Sequence, residues 1–108
     1  MTIIKTFAGD ALYNIDLTLQ DSAGAAFDLT GNSAIKLRAQ KQGVAALEVD
    51  GACSVVGAAT DGVVRYQVQT GELDAAGDYY AEVEVTFSGG KIVTFGDFII
   101  RVLPQLPR

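Results

Sequence analysis

The stretch Gly77-Asp78-Tyr79-Tyr80-Ala81-Glu82-Val83-Glu84-Val85-Thr86-Phe87 decides the fold of this chain. Tyr79, Ala81, Val83, Val85 and Phe87 occupy one phase of a two-residue period, and Tyr80, Glu82, Glu84 and Thr86 the other. Successive strand side chains point to opposite faces, so the pattern predicts a strand with one dry and one wet side. The same alternation recurs on both sides of it. Tyr13, Ile15, Leu17 and Leu19 oppose Asn14, Asp16, Thr18 and Gln20, and Ile35, Leu37 and Ala39 oppose Lys36, Arg38 and Gln40. Leu47 and Val49 alternate with Glu48 and Asp50, and Val64, Tyr66 and Val68 with Arg65 and Gln67.

Turn-forming residues separate these runs. Asp21-Ser22-Ala23-Gly24, Thr30-Gly31-Asn32-Ser33 and Ser88-Gly89-Gly90 tolerate positive φ or bond their own backbone. Asp50-Gly51 and Asp61-Gly62 each predict a tight hairpin. Thr70 to Ala76 is too short for an independent helix and reads as a loop or single turn. In the last run the apolar phase slips: Val93 and Phe95 are odd, whereas Phe98, Ile100 and Val102 are even. A β-bulge at Gly96-Asp97 restores the apolar face, with Gly96 expected to accommodate it and the strand to run along a sheet edge.

The expected strands span about 2–7, 12–20, 34–40, 45–50, 52–58, 62–69, 78–87 and 91–103. Seven to eight short antiparallel strands with one wet face predict an all-β sandwich or barrel. The 108 residues fit a single domain over 1–103, followed by an extended tail, 104–108, that begins at Pro104. Leu106 stands in that tail between two prolines. Ile3 and Ile4 of the first strand and Leu106 of the tail are candidate contact residues, because edge strands and termini can add to a partner's sheet.

Charge and composition exclude several functions. The net charge is −5, and the eight Lys and Arg residues are scattered, so no basic stripe for phosphate exists. Lys36, Arg38 and Lys41 read as a solvated strand face. An acidic chain is repelled by anionic lipid, and no apolar run reaches the ~18 to 20 residues of a membrane span. Met1 to Phe7 lacks the apolar core of a secretory signal, so synthesis in the cytoplasm without a signal peptide is expected. There is no histidine, and Cys53 is the single cysteine, which closes the disulfide and Cys–His routes. Cys53 reads as a small buried hydrophobe near Val55.

The carboxylates fall in turns or on wet faces, which leaves no catalytic set. Glu72, Asp74 and Asp78 cluster near one corner but lack a calcium-loop spacing, so a solvated loop is expected in place of a metal site. Phosphate-cradling glycine patterns are absent. A non-enzymatic chain without cofactor or small-molecule substrate follows. Among the aromatics, Phe7, Tyr13, Phe27, Tyr66, Tyr79, Phe87, Phe95 and Phe98 are expected to be inward or structural, leaving Tyr80 alone on a wet face. Sugar-binding sandwiches display rows of exposed aromatics, so this pattern disfavours one.

Two resemblances add to these observations. Leu73-Asp74-Ala75-Ala76-Gly77-Asp78-Tyr79-Tyr80-Ala81 resembles the approach to strand F of immunoglobulin-like domains. There a Gly or Ala two residues before a Tyr forms a corner, and the hydroxyl bonds back to the preceding loop. The resemblance implies that Gly77 and Tyr79 do the same. Asp74 is one place further from the tyrosine than in antibodies, Ala81 stands where the second cysteine would be, and there is no tryptophan. An immunoglobulin-like antiparallel β-sandwich, not an antibody-type domain, is therefore implied.

The second resemblance runs through Gly9-Asp10, Tyr13-Asn14-Ile15-Asp16-Leu17, Asp21-Ser22-Ala23-Gly24, Phe27-Asp28-Leu29-Thr30-Gly31 and Ile35-Lys36-Leu37-Arg38. With Gly77-Asp78-Tyr79-Tyr80-Ala81-Glu82-Val83, this order resembles the N-terminal domain of phage baseplate upper proteins and related domains of tailed-phage and prophage tail proteins. Asp28, Thr30 and Gly31 have a structural reading as well: two local backbone caps and a turn, with Leu29 as a core plug. The resemblance implies a virion structural domain, a tail or baseplate connector that docks on other virion proteins as a homo-oligomer. The larger family members carry trimerisation and receptor-binding parts that have no counterpart in these 108 residues. The alternative class is an extracellular-type adhesion or carbohydrate-binding module.

Overall fold

The computed structural model describes residues 2–106. Eight strands alternate with turns: β1 Thr2–Phe7, β2 Asn14–Thr18, β3 Asn32–Lys41, β4 Leu47–Ala52, β5 Ser54–Val55, β6 Val63–Gln67, β7 Gly77–Phe87 and β8 Ile92–Leu103. They form a five-stranded sheet, β1-β8-β7-β3-β4, and a three-stranded sheet, β2-β6-β5. The dry faces meet in one core. Ile15, Leu17, Val64 and Tyr66 come from the small sheet, and Leu37, Val49, Tyr79, Val83, Val85 and Ile100 from the large one. Each aliphatic side chain so buried contributes about 1.5–3 kcal/mol.

Among the described residues the pairings are antiparallel with one exception: β1 runs parallel to β8, in register from Thr2↔Phe98 to Phe7↔Leu103. A purely antiparallel sandwich was expected. The difference arises at the bulge. Ala81 pairs with Phe98 and Val83 with Phe95, so Gly96 and Asp97 together oppose the single residue Glu82. Past this point β8 turns to offer its second edge to β1, which pairs with it only from Phe98 onward. So β8 is not an edge strand of the sheet; β1 and β4 are. Asp97, not Gly96, carries the left-handed conformation, at φ 73°. Asp tolerates that region because its short polar side chain can bond locally.

The two Asp-Gly pairs part company. Asp61-Gly62 lies in the β5–β6 connection, where a single 3-10 turn at Ala59–Asp61 ends on Gly62 at φ 69°. That hairpin is wider than a two-residue turn, with the Val56 N–H bonding the Val63 carbonyl at 2.9 Å. Asp50-Gly51 closes no hairpin: both residues lie inside β4, opposite Arg38 and Leu37. A Cβ on Gly51 would stand 2.6 Å from the Tyr66 ring, so glycine is there to admit that ring. The chain then changes sheets at Cys53, whose N–H bonds the Ile35 carbonyl at 2.8 Å.

Local turn chemistry is as the residue types require. Asp21 Oδ1 accepts the N–H groups of Ala23 and Ala25, and Asp28 Oδ1 accepts that of Thr30 at 2.9 Å. Leu29 is fully buried, and Gly31 takes a positive φ.

Candidate functional site

The outer face of the five-stranded sheet is built by the side chains that the two-residue period turns away from the core. One row crosses all five strands: Ile3↔Ile99↔Tyr80↔Gln40↔Leu47, each paired with the next. Four of its five members are apolar or aromatic. Ile3, Tyr80 and Leu47 are 46%, 53% and 49% exposed, while Ile99 between them is sheltered at 9%. The Gln40 amide donates to the Val44 carbonyl at 2.7 Å, so its polar end is already engaged. A groove of about 410 Å³ runs beside this row, its walls including Arg38, Leu47, Tyr80, Glu82, Gly96 and Ile99. Gly96 widens it, because nothing lies within 4 Å of the place its Cβ would take.

Charged pairs flank the row. Towards the C-terminal end of β8, Arg101 grips Asp78 through Nε and Nη2 at 2.9 and 3.2 Å, and Lys5 pairs in register with Arg101. On the other side Arg38 makes a bidentate contact to Glu84 at 3.0 and 3.2 Å. Arg38 also lies 3.8 Å from Glu82, and Lys36 bridges to Asp50 at 3.2 Å. Lys36 and Arg38 are thus cross-strand partners of carboxylates, whereas Lys41 pairs with Tyr79 at the end of β3. The Arg101 guanidinium holds the Asp78 carboxyl below its ordinary pKa. Arg65 does the same for Asp16 on the small sheet, and the Thr30 side chain and N–H do so for Asp28.

The remaining sequence-derived candidates scatter. Gly77 and Tyr79 form a corner: Tyr79 is 1% exposed, and its hydroxyl donates to the Ala75 carbonyl at 2.7 Å. Asp28, Thr30 and Gly31 form the turn that leads into β3, nine to twelve residues before Gln40 of the apolar row. Ile3 belongs to the row, but Ile4 packs against the core, because only alternate residues of β1 face outward. Leu106 is exposed at the end of the tail, whose Gln105 amide bonds Asp10 Oδ1 at 2.9 Å. Phe7, expected inward, is instead half exposed on the outer face, since it shares the phase of Ile3.

The acidic corner is divided among other tasks. Glu72 accepts the Tyr66 hydroxyl at 2.7 Å and the Gln69 N–H at 2.8 Å, while Asp78 serves Arg101. Burial and the Glu72 carboxylate push the Tyr66 phenol upward. Among the described residues no group of three potential ligands could hold a metal ion. Burial pushes the Cys53 thiol up to about 11, and the packed core lies against it. The thiolate is the nucleophile. Native protein at pH 8 is therefore expected to resist iodoacetamide, with alkylation appearing only in denaturant; mass spectrometry of both samples checks this, and rapid native labelling would contradict it.

The row of pairings was the signal that sequence reasoning missed. Alternation gives each strand's wet face, but only the register between strands brings Ile3, Tyr80 and Leu47 into line.

The chain matches no family model and no curated protein. Among solved structures it is similar to a chicken TCR, with 17% identity and a TM-score of 0.60 over 98% of this chain. It spans about half of that receptor chain, 55%. Murine CRIg aligns over 98% of this chain and 94% of its own, at 14% identity and a TM-score of 0.46. With its two sheets, its corner tyrosine and its likeness to the chicken TCR, the chain has the immunoglobulin-like β-sandwich fold.

Proposed function

We propose that this chain is a non-catalytic structural and assembly domain of a tailed-phage or prophage virion, a tail or baseplate connector. The observation that carries its role in assembly is the exposed row from Ile3 to Leu47, an apolar band across the outer face of the five-stranded sheet. Exposed apolar surface rimmed by charge is characteristic of protein contact sites. The tail setting rests on the Phe27-Asp28-Leu29-Thr30-Gly31 and Gly77-Asp78-Tyr79-Tyr80 motifs and their order along the chain. The absence of histidine, the protonated Cys53 thiol and the engagement of Glu72, Asp78 and Glu84 in structural bonds support the non-catalytic part.

An adhesion or carbohydrate-binding module would use aligned aromatics. Phe7 and Tyr80 do share the outer face, but the Lys5–Arg101–Asp78 row separates them, so they form no continuous platform. A tagged copy expressed in its cell of origin should sediment with tail-like particles after induction by a DNA-damaging agent. Immunolabelling of those particles by electron microscopy would place it on the tail. Recovery of all the tagged chain in the soluble fraction, beside abundant unlabelled particles, would overturn the proposal.

A further inference from the structure

We infer that the open edge of β2 accepts an extended segment of another protein chain, which adds to the three-stranded sheet as a fourth strand. This goes beyond the assembly reading, because the site lies on the other sheet from the Ile3–Leu47 row and recognises main chain, not an apolar face.

The hydrogen bonds show which groups are offered. The Val68 N–H bonds the Tyr13 carbonyl at 2.9 Å, and the Leu19 N–H the Gly62 carbonyl at 2.7 Å. Main-chain groups alternate sides along a strand, so Tyr13, Ile15, Leu17 and Leu19 aim theirs at β6. Asn14, Asp16, Thr18 and Gln20 aim theirs away from it. The return of the chain after Asp21 stays on the β6 side too: the Asp21 N–H bonds the Ala25 carbonyl at 2.8 Å, and the Phe27 N–H the Leu19 carbonyl at 2.9 Å. Among the described residues no strand pairs with the other side of β2. From Asn14 to Gln20 that side is about 20 Å long, at about 3.3 Å per residue.

The other sheet edges are guarded. β1 carries the exposed Lys5, β4 carries Glu48 and Asp50 and a register shift against β3, and β5 is two residues long. Charges, irregularities and shortness are the devices that keep an edge from pairing. β2 has none of them. It runs in unbroken register with β6, and its charged residue, Asp16, is held by Arg65 at 2.8 and 3.0 Å. The space beside it is open as well. β1 pairs with β8 only from Phe98 onward, and a groove of about 380 Å³ lies between β2 and the earlier part of β8. Its walls include Thr2, Thr18, Gln20, Asp21, Thr94 and Phe95.

The chemistry of the edge defines the occupant. Donors and acceptors repeating along a line are matched by another extended main chain, as in strand addition. Alternate side chains of the added strand enter the groove, whose hydroxyl and amide walls suit threonine or serine better than large aliphatic residues. The net charge of −5, with Asp21 in the groove wall, selects a donor carrying Lys or Arg and disfavours a second copy of this acidic chain.

Amide hydrogen exchange read by NMR tests the inference on the whole chain. The probe is a synthetic peptide of alternating threonine and valine between two lysines, added up to about 5 mM so that a millimolar complex forms. The amides of Asn14, Asp16, Thr18 and Gln20 should exchange freely without peptide and about tenfold more slowly with it. The same peptide N-methylated at alternate amides should give no protection. Thr18→Pro removes an outward N–H and no bond to β6, so this variant should melt within a few degrees of the wild type and lose the peptide. If it fails to fold, the N-methylated peptide decides alone. No protection of these amides at the highest concentration would overturn the inference, as would equal binding of the N-methylated peptide or protection at the β1 or β4 edge instead. Protection on concentrating the protein without peptide would assign the edge to a second copy and overturn the donated strand. None of these failures touches the tail-particle experiment, which tests the assembly reading separately.

Discussion

Replacing Gly62 by alanine is expected to destabilise the domain by about 2–5 kcal/mol, the sum of backbone strain and overpacking. Gly62 sits at φ 69°, and a Cβ there would stand 2.7 Å from the Leu19 carbonyl oxygen and 2.9 and 3.0 Å from the Phe27 oxygen and nitrogen. These neighbours are main-chain atoms that cannot rotate aside. The junction is also bonded: the Leu19 N–H donates to the Gly62 carbonyl at 2.7 Å, and the Phe27 N–H to the Leu19 carbonyl at 2.9 Å. Pushing Leu19 away to admit a methyl group would loosen both bonds and the fully buried Leu19 side chain with them. Gly24→Ala is the control. Gly24 has φ 84° with open space around it, so it carries the strain without the clash, about 1 kcal/mol. Urea unfolding followed by circular dichroism compares the two. Equal losses would show that the close approach at Gly62 has no consequence.

Truncating Tyr79 to alanine is expected to cost about 3–5 kcal/mol, as for other large buried aromatics. Tyr79→Phe separates the ring from the hydroxyl. The ring remains, but the Ala75 carbonyl loses the 2.7 Å bond at its corner, a loss of about 1–3 kcal/mol. Each kcal/mol lowers the melting temperature of a domain this size by roughly 4 °C or more. The damage should stay local, because Glu72 bonds the Tyr66 hydroxyl and Glu48 bonds the Leu73 N–H at 3.0 Å, holding the 69–76 loop by other means. An unchanged melting temperature in Tyr79→Phe would show that the hydroxyl contributes nothing to the corner.

Much of this architecture was legible before any coordinates. The alternation in Tyr79–Phe87 is a local property: each residue's face follows from its place in the pleat, whatever the strand pairs with. β7, β3 and β8 accordingly fall within two residues of the expected bounds. The slip between Phe95 and Phe98 located the bulge for the same reason, since an extra residue must shift the parity of an apolar face. The resemblance around Gly77-Asp78-Tyr79 pointed to the corner, which the Tyr79–Ala75 bond forms.

Errors occurred where one local pattern serves two distant ends. Asp50-Gly51 and Asp61-Gly62 are the same dipeptide. Gly62 has a turn's conformation, whereas Gly51 lies in a strand because the Tyr66 ring, fifteen places along the chain, occupies the space of its side chain. Phe7 looked like a core residue by type and is half exposed by phase, because the parallel pairing with β8 fixes which side of β1 is out.

The sequence by itself determined that this chain is a β-sandwich, where its strands run, which side of most of them is dry, and that it has no histidine chemistry. Tertiary structure alone decided the sheet to which each strand belongs, the parallel β1 edge and the line from Ile3 through Tyr80 to Leu47. The physical reason is that side-chain alternation is set by neighbouring peptide units, while strand order and register are set by contacts between residues far apart in the chain. An interaction face made of one residue from each of five strands exists only once those registers are fixed.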